Sequence, residues 1–504
     1  MPARRPSRNN PNPDELHELL AAIASAAAVE VRESGERLAE LDGFRFEIRH
    51  RGAQTLLHLW SQDRTLVRRV LRVLESSAGH LVLEVQRFGR KKPARLEFAC
   101  ADALMPGGRL TREKFRARFR EILVEQFPDE DVESLTAAPD LEHSFSGQYV
   151  RGVQSRGGPR GRAWAVLAVS QEEDAATIDS ALSFGLLWLD WTRQRKQHAV
   201  VEGLRLFLPA QSTAAAMHRM KGLGPAARVE LYELDETWRR ARPIDAQDTG
   251  NRASWLVPRR EIEQTLAAAR GEIDRLCALL PNSSDAFDAT VPSGTREVAL
   301  RFRGLEFARW RDGHMSCGLP DLGLAPHATP LEELLQKLAT HRHPLADDTN
   351  HPLYRAQAER WLEAMVLRDP TRVDPRLDPR HLYRQVPASL LADRGVMDLL
   401  GMTRDGRLAV IELKATEDVH LALQGLDYWL RVRAHQQQGD FQRYAYFPGM
   451  ELQQAPPLLY LVAPGFRFHP ATDILLRYFS PEVAVTRVGL NENWRQGLRV
   501  VFRQ

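Results

Sequence analysis

The stretch Gly395 to Leu430, GVMDLLGMTRDGRLAVIELKATEDVHLALQGLDYWL, leaves the chain few ways to fold. Val396 to Met402 is a short apolar run, Arg404-Asp405-Gly406 carries an Asp-Gly turn signal, and Leu408 to Leu413 is aliphatic and β-branched, so the spacing predicts a β-hairpin. A helix bearing Gln424 and Tyr428 should follow. The side-chain period of two in a strand puts Glu412 and Lys414 on one face and Ile411 and Leu413 on the other, with Asp398 on the facing strand. Three ionisable groups then converge at one end of a small sheet, which is costly in an ordinary core. It suits a hard cation. Mg²⁺ takes carboxylate oxygens while keeping several waters, so Asp398 and Glu412 can hold Mg²⁺ or Mn²⁺. Such an ion polarises a phosphodiester and activates water. Lys414 can orient that water or steady the charge developing on phosphorus.

Lysine is scarce in this chain. Besides Lys414 there are only Lys91, Lys92, Lys114, Lys196, Lys221 and Lys337 among 69 Lys and Arg residues. Where positive charge is otherwise written as Arg, a compact ammonium that shifts its pKa readily is a distinct chemical choice.

The pattern Asp398-x13-Glu412-x-Lys414, followed by Gln424-x3-Tyr428, resembles the PD-(D/E)xK nuclease superfamily. The phrase DLLGMTRDGRLAVIELKATED looks most like the branch with the NucS-type endonuclease domain, and more distantly like RecB-type nucleases. The resemblance covers roughly residues 350–490 and lacks the Pro before Asp398. It implies an α/β fold with a restriction-endonuclease-like mixed sheet flanked by helices. It also implies a metal held by Asp398 and Glu412, a catalytic Lys414, and Gln424 and Tyr428 in support. A glutamate on a preceding helix completes the family's site, and RAQAERWLEAMVLRDP offers Glu359 and Glu363, one helical turn apart. The activity implied is Mg²⁺- or Mn²⁺-dependent hydrolysis of nucleic acid, above all as a DNA endonuclease of repair or anti-phage defence, with a homodimer as one arrangement. The competing reading is a non-catalytic nucleic-acid-binding or assembly protein on the same fold, with Glu412 and Lys414 an exposed pair on an edge strand.

At 504 residues the chain has room for several domains. We divide it into a disordered tail (1–13), an N-terminal helix with a basic β-rich region (14–110), an α/β domain (111–240), a linker with helix and β accessory region (241–345) and the nuclease-like domain (346–504). Asp14 to Leu41 has helical spacing. Arg69, Arg72, Arg87, Arg90, Lys91, Lys92 and Arg95 form a locally basic cluster, readable as a phosphate-contacting surface or a solvated face. The net charge is only +3, which excludes a polycation. Cys100, Cys277 and Cys317 are too dispersed for a disulfide framework. Neither a leader-like apolar region nor a bilayer-length apolar segment stands out, so a cytoplasmic protein is expected. Past the Gln424 helix, Arg431, Arg433, Tyr444 and Tyr446 could line a nucleic-acid path or simply pack.

Residues 111–235 can be laid beside the nuclease-like segment. In both, a helix ending near an acid-Pro pair leads to an Arg-Gly-Val strand, a Gly-Arg turn, an Ala-Val strand and an Ala-Leu helix, with matching strand-helix-strand continuations. This predicts an internal duplication whose first copy is degenerate, because Ala168 falls at the Glu412 position and Ser170 at the Lys414 position. Glu142 and His143 form an acid-His pair in that copy with no second ligand beside them in sequence.

Overall fold

The structure, a computed structural model, describes the chain except residues 1–12, 25–28, 34–35, 42–44, 52–53, 61–64, 78–79, 87–92, 101–106, 141–144, 197, 236–239, 247–253, 293–294, 320–321, 323–329 and 391–395. It is mixed α/β and divides into two compact units that are discontinuous in sequence. One gathers Met1–Gly108, Arg260–Val366 and Arg495–Gly497, and the other Arg109–Arg259, Leu367–Trp494 and Leu498–Gln504. Residues 1–12 of the expected tail, Arg87, Arg90, Lys91, Lys92, Glu142 and His143 lie outside the described residues.

The first unit holds a seven-stranded antiparallel sheet drawn from residues 29–100 and a four-stranded one from residues 287–317. The helix expected over 14–41 is shorter. It spans Pro13–Ala24, burying Leu16, Leu20 and Ile23, and is followed by the paired strands Val29–Glu33 and Glu36–Leu41. The Val29-Glu-Val31 alternation, with Gly35 just beyond, outweighs helix propensity there. Of the basic cluster, Arg72 pairs with Glu84 at 2.8 Å and Arg95 with Glu75 at 3.3 Å, so cross-strand glutamates neutralise both.

The second unit contains two sheets. Helix α1 (Gly107–Gln126) precedes β1 (Asp131–Thr136), β2 (Tyr149–Arg156), β3 (Arg162–Val169), α2 (Ala175–Arg195), β4 (Val200–Pro209), α3 (Ala214–Met220), β5 (Val229–Leu234) and β6 (Ala241–Ile244). The second sheet comprises β7 (Ser254–Leu256), β8 (Leu377–Leu390), β9 (Val396–Thr403), β10 (Leu408–Leu413), β11 (Leu458–Pro464), β12 (Ala484–Leu490) and β13 (Val500–Arg503), with helix α4 (Leu421–Gln438) after β10 and α5 (Ala471–Leu476) after β11. The orders are β6-β5-β4-β3-β2-β1 and β7-β8-β9-β10-β11-β12-β13.

Strand directions match throughout. β1-β2-β3 and β8-β9-β10 are antiparallel meanders, β3-β4-β5 and β10-β11-β12 run parallel, and β6 and β13 close each sheet antiparallel. Parallel neighbours need crossover helices, which α2 and α3 supply in one half and α4 and α5 in the other. A glycine lets each long helix sit close to its sheet. A Cβ on Gly185 would come 2.6 Å from Leu204 Cδ2, and one on Gly425 2.7 Å from Leu461 Cδ2.

The halves meet crosswise, α2 against α5 and α4 against α3, through one shared apolar core. That explains why α2 is apolar nearly all round: its outward side is covered by the other half. At the centre Leu223 and Phe479 form an antiparallel bridge, with Gly224 N donating to Tyr478 O and Ser480 N to Gly222 O, both at 2.8 Å.

Candidate metal centre

The hairpin forms as its sequence dictates. Asp405 and Gly406 make the turn between β9 and β10, with Gly406 at φ 90°, where a Cβ would meet Glu451 O at 2.2 Å. Leu399 pairs with Ile411 and Leu400 with Val410, so the next facing pair is Asp398 and Glu412. Asp398 Oδ2 accepts the Leu413 N–H at 3.0 Å, tying the aspartate to the neighbouring strand's backbone. Leu408 and Val410 lie in the core beneath α4, so alternation puts Glu412 on that same face. Glu412 is 4% exposed on the central strand of its sheet, which overturns the picture of an exposed edge-strand pair.

Helix α4 completes the site. Burial, then the carboxylates of Glu412 and Asp398, push the Tyr428 hydroxyl far above its ordinary range, so both carboxylates act on one phenol. Gln424 stands one turn earlier on the same helix face, and its Oε1 is buried with no hydrogen-bond partner among the described residues. Lys414 Nζ lies 3.2 Å from Asp418 Oδ2. Burial alone would raise the Asp418 pKa, but the Lys414 charge and His420 outweigh it and hold the carboxyl below its ordinary range. Asp418 Oδ1 also accepts the His420 N–H at 2.7 Å. His420 reaches into the first half, with Nε2 3.3 Å from Ser180 Oγ and its ring edge-on to Phe184 at 5.9 Å. Sequence reasoning missed Asp418 and His420. The signal was an acid four residues beyond Lys414 in the same loop.

Glu359 and Glu363 lie on helix Ala358–Arg368, which belongs to the first unit except for its last turn. Glu363 is 1% exposed, and its Oε2 accepts from Arg360 Nη1 at 2.5 Å. Among the described residues no cluster of three or more His, Cys, Asp or Glu side chains is gathered to hold a metal. Asp398 and Glu412 act together on Tyr428, Gln424 with its buried amide oxygen lies one turn earlier on that helix, and Lys414 lies two residues beyond Glu412. Two carboxylates with an unsatisfied amide oxygen fit a hard cation that takes its remaining ligands from water and phosphate.

Of the two readings for the segment beyond α4, the structure favours packing. Tyr446 is 3% exposed and donates to Val257 O at 2.9 Å, while Arg431 is buried and bound to Asp427 at 2.7 Å. Arg433 is held by Gln436, the Gln454 carbonyl and Glu482. Tyr446 and Arg431 pack the interior, while Arg433 and Tyr444 are half-buried, with Tyr444 packed against the core.

The first half shows what occupies the same places there. In the parallel registers Ala165 pairs with Leu204 and Val410 with Leu459, and β4 and β11 each end in proline five residues later. Leu167 therefore stands at the Glu412 position and Val169 at the Lys414 position, one residue before Ala168 and Ser170. Ala168 faces the opposite side, packed with Phe115, Phe119 and Phe207. Arg151, opposite Leu167, takes the place of Asp398, and the Gly185–Gly425 match puts Phe184 at Gln424 and Trp188 at Tyr428. Arg151 is 4% exposed, with its guanidinium over Phe145 at 4.9 Å and Trp188 at 5.5 Å. A fixed cation thus stands in the first half where the second presents an acid.

No protein-family model matches the chain, and no curated protein resembles it at a significant level.

Proposed function

We propose that this chain is a metal-dependent nuclease that hydrolyses phosphodiester bonds, a cytoplasmic DNA endonuclease of repair or anti-phage defence. In this reading both sheets of the second unit are restriction-endonuclease-like cores, produced by duplication, and only the second kept its chemistry. The observation that carries it is Asp398 facing Glu412 across a buried hairpin, with Tyr428 and Lys414 beside them. Glu412 is buried and Asp398 half-buried, and a bound cation would offset the charge of two facing carboxylates.

Asp398 and Glu412 would hold Mg²⁺ or Mn²⁺, which supplies polarisation of the phosphodiester and an activated water. Lys414, steered by Asp418, presents an ammonium toward the charge that develops on phosphorus. Gln424 offers its buried amide oxygen, and Tyr428 keeps its hydroxyl proton and can donate it as a hydrogen bond. Among the described residues no helix is long and apolar enough to cross a membrane.

The test is cleavage of labelled duplex and single-stranded DNA and RNA with Mg²⁺, Mn²⁺ or EDTA, comparing the native chain with Glu412→Gln and Lys414→Ala. Metal-dependent cutting of DNA that both variants lose supports the proposal. Binding without cutting, indifferent to either change, would move the chain to the class of non-catalytic nucleic-acid-binding proteins.

A further inference from the structure

The two halves of the second unit are related as the subunits of a two-fold dimer. The helix after the hairpin in each half packs on the short helix of the other, α2 on α5 and α4 on α3. The strand registers make the relation quantitative. Leu204 pairs with Val229 as Leu459 pairs with Val485, so Val229 and Val485 are equivalent. Counting back six residues from each gives Leu223 and Phe479, and these bridge one another. The flanking hydrogen bonds, Gly224 to Tyr478 and Ser480 to Gly222, are each other's image under the same exchange. A residue that touches its own equivalent lies on a two-fold axis, and self-complementarity of this kind defines an isologous interface. The surface a nuclease half would offer to a second copy is thus already covered from within the chain.

Among the described residues, the covering half lacks the other half's acids at the equivalent positions. Arg151, Leu167, Val169, Phe184 and Trp188 stand where Asp398, Glu412, Lys414, Gln424 and Tyr428 stand in the other. The change is concerted: the acids are gone, a guanidinium that would repel a divalent cation is buried in their place, and aromatic rings close over it. The same half keeps a hold on the working site, since Ser180 and Phe184 bracket His420, next but one to Asp418 in the loop that holds Lys414.

We propose that residues 109–244 are a built-in, catalytically silent dimer partner, so that a single chain carries one active centre and cuts one strand of duplex DNA per encounter. This rests on the nuclease reading of the second half. In a symmetric pair of active halves each centre addresses one of the two antiparallel strands; with one centre silenced the immediate product is a nick.

The experiment is a time course on supercoiled plasmid with the full chain in excess and Mg²⁺ or Mn²⁺ present, alongside sedimentation at the same concentration. The expected result is open-circular DNA accumulating to most of the substrate before linear DNA appears. The expected species has the mass of one 57.2 kDa chain, with a rate first order in protein. Linear DNA as the first product, or a rate rising with the square of chain concentration and a two-chain active species, would overturn the inference while leaving the nuclease reading intact. Absence of any metal-dependent cutting would remove the nuclease reading and the nick with it. The triple variant Arg151→Asp, Leu167→Glu, Val169→Lys provides a gain-of-function arm: where it folds, linear product should rise relative to the native chain.

Discussion

Lys414 Nζ lies 3.2 Å from Asp418 Oδ2, and the carboxylate that steers the lysine is itself fixed by the His420 N–H. The proposed catalytic ammonium is therefore aimed by a loop, and that loop is braced by Ser180 and Phe184 of the other half. Asp418→Asn should lower kcat about 10–100-fold, the usual cost of losing a group that orients a catalytic one, with KM for DNA little changed. His420→Ala should follow in the same direction by a smaller factor. Steady-state kinetics on a nicking substrate separates the two parameters, and a change confined to KM would speak against a positioning role.

The site carboxylates should matter far more to cutting than to folding. Glu412→Gln and Asp398→Asn are each expected to reduce cleavage by about 10²–10³-fold, comparable to deleting a principal electrostatic group. Unfolding midpoints should hold steady or rise, because facing carboxylates repel. The corresponding change in the other half, Arg151→Met, should leave the nicking rate unaltered.

Much of this site was legible because its determinants are local. The Asp-Gly turn, the strand alternation and the four-residue spacing of Gln424 and Tyr428 each act within a few residues, and each element formed where expected. The alignment of the halves was one residue out because β3 and β10 are buried on both faces. A strand with no polar side gives no parity signal, and a one-residue slip moves every side chain to the other face. Ala168 was thus matched to Glu412 when Leu167 is its equivalent. The overlong N-terminal helix, and the choice between path and packing past α4, were not decided by the sequence for a different reason. Pairing of Val29–Glu33 with the strand Ala94–Cys100 and the burial of Arg431 against Asp427 are tertiary facts that composition does not carry. The two-fold relation was invisible in the same way, although Gly185 and Gly425 marked the equivalent helix positions.

Those glycines predict a second structural effect. With Leu461 Cδ2 2.7 Å from where its Cβ would be, Gly425→Val must push α4 away from the sheet. Overpacking of this kind costs about 1–3 kcal/mol. Because α4 carries Gln424 and Tyr428, cleavage should fall with stability, whereas Gly185→Val should cost similar stability with less loss of cutting. Denaturant unfolding and cleavage measured side by side on both variants would show whether the two effects separate.

Acid should weaken this fold through Asp374. Burial tends to raise its pKa, but hydrogen bonds from Arg376 and Tyr460 overcome that and hold it at about 2, below an ordinary value of 3.8. The unfolded chain therefore binds the proton more readily, and the stabilisation is fully present above pH ~4 and fades as pH falls toward about 2. Allowing for solvent screening, Asp374→Asn should cost about 1 kcal/mol at neutral pH. Its difference from the native chain should fall away as pH drops through about 2 in unfolding titrations.

The central claim is that Asp398 and Glu412 are a cation site, and Mn²⁺ binding followed by calorimetry or electron spin resonance tests it without any substrate. The native chain should take up Mn²⁺ at a site that Mg²⁺ competes for, and the double variant Asp398→Asn, Glu412→Gln should lose that site while keeping its circular dichroism and unfolding midpoint. Undiminished Mn²⁺ binding in the folded double variant, or none in the native chain, would contradict the account.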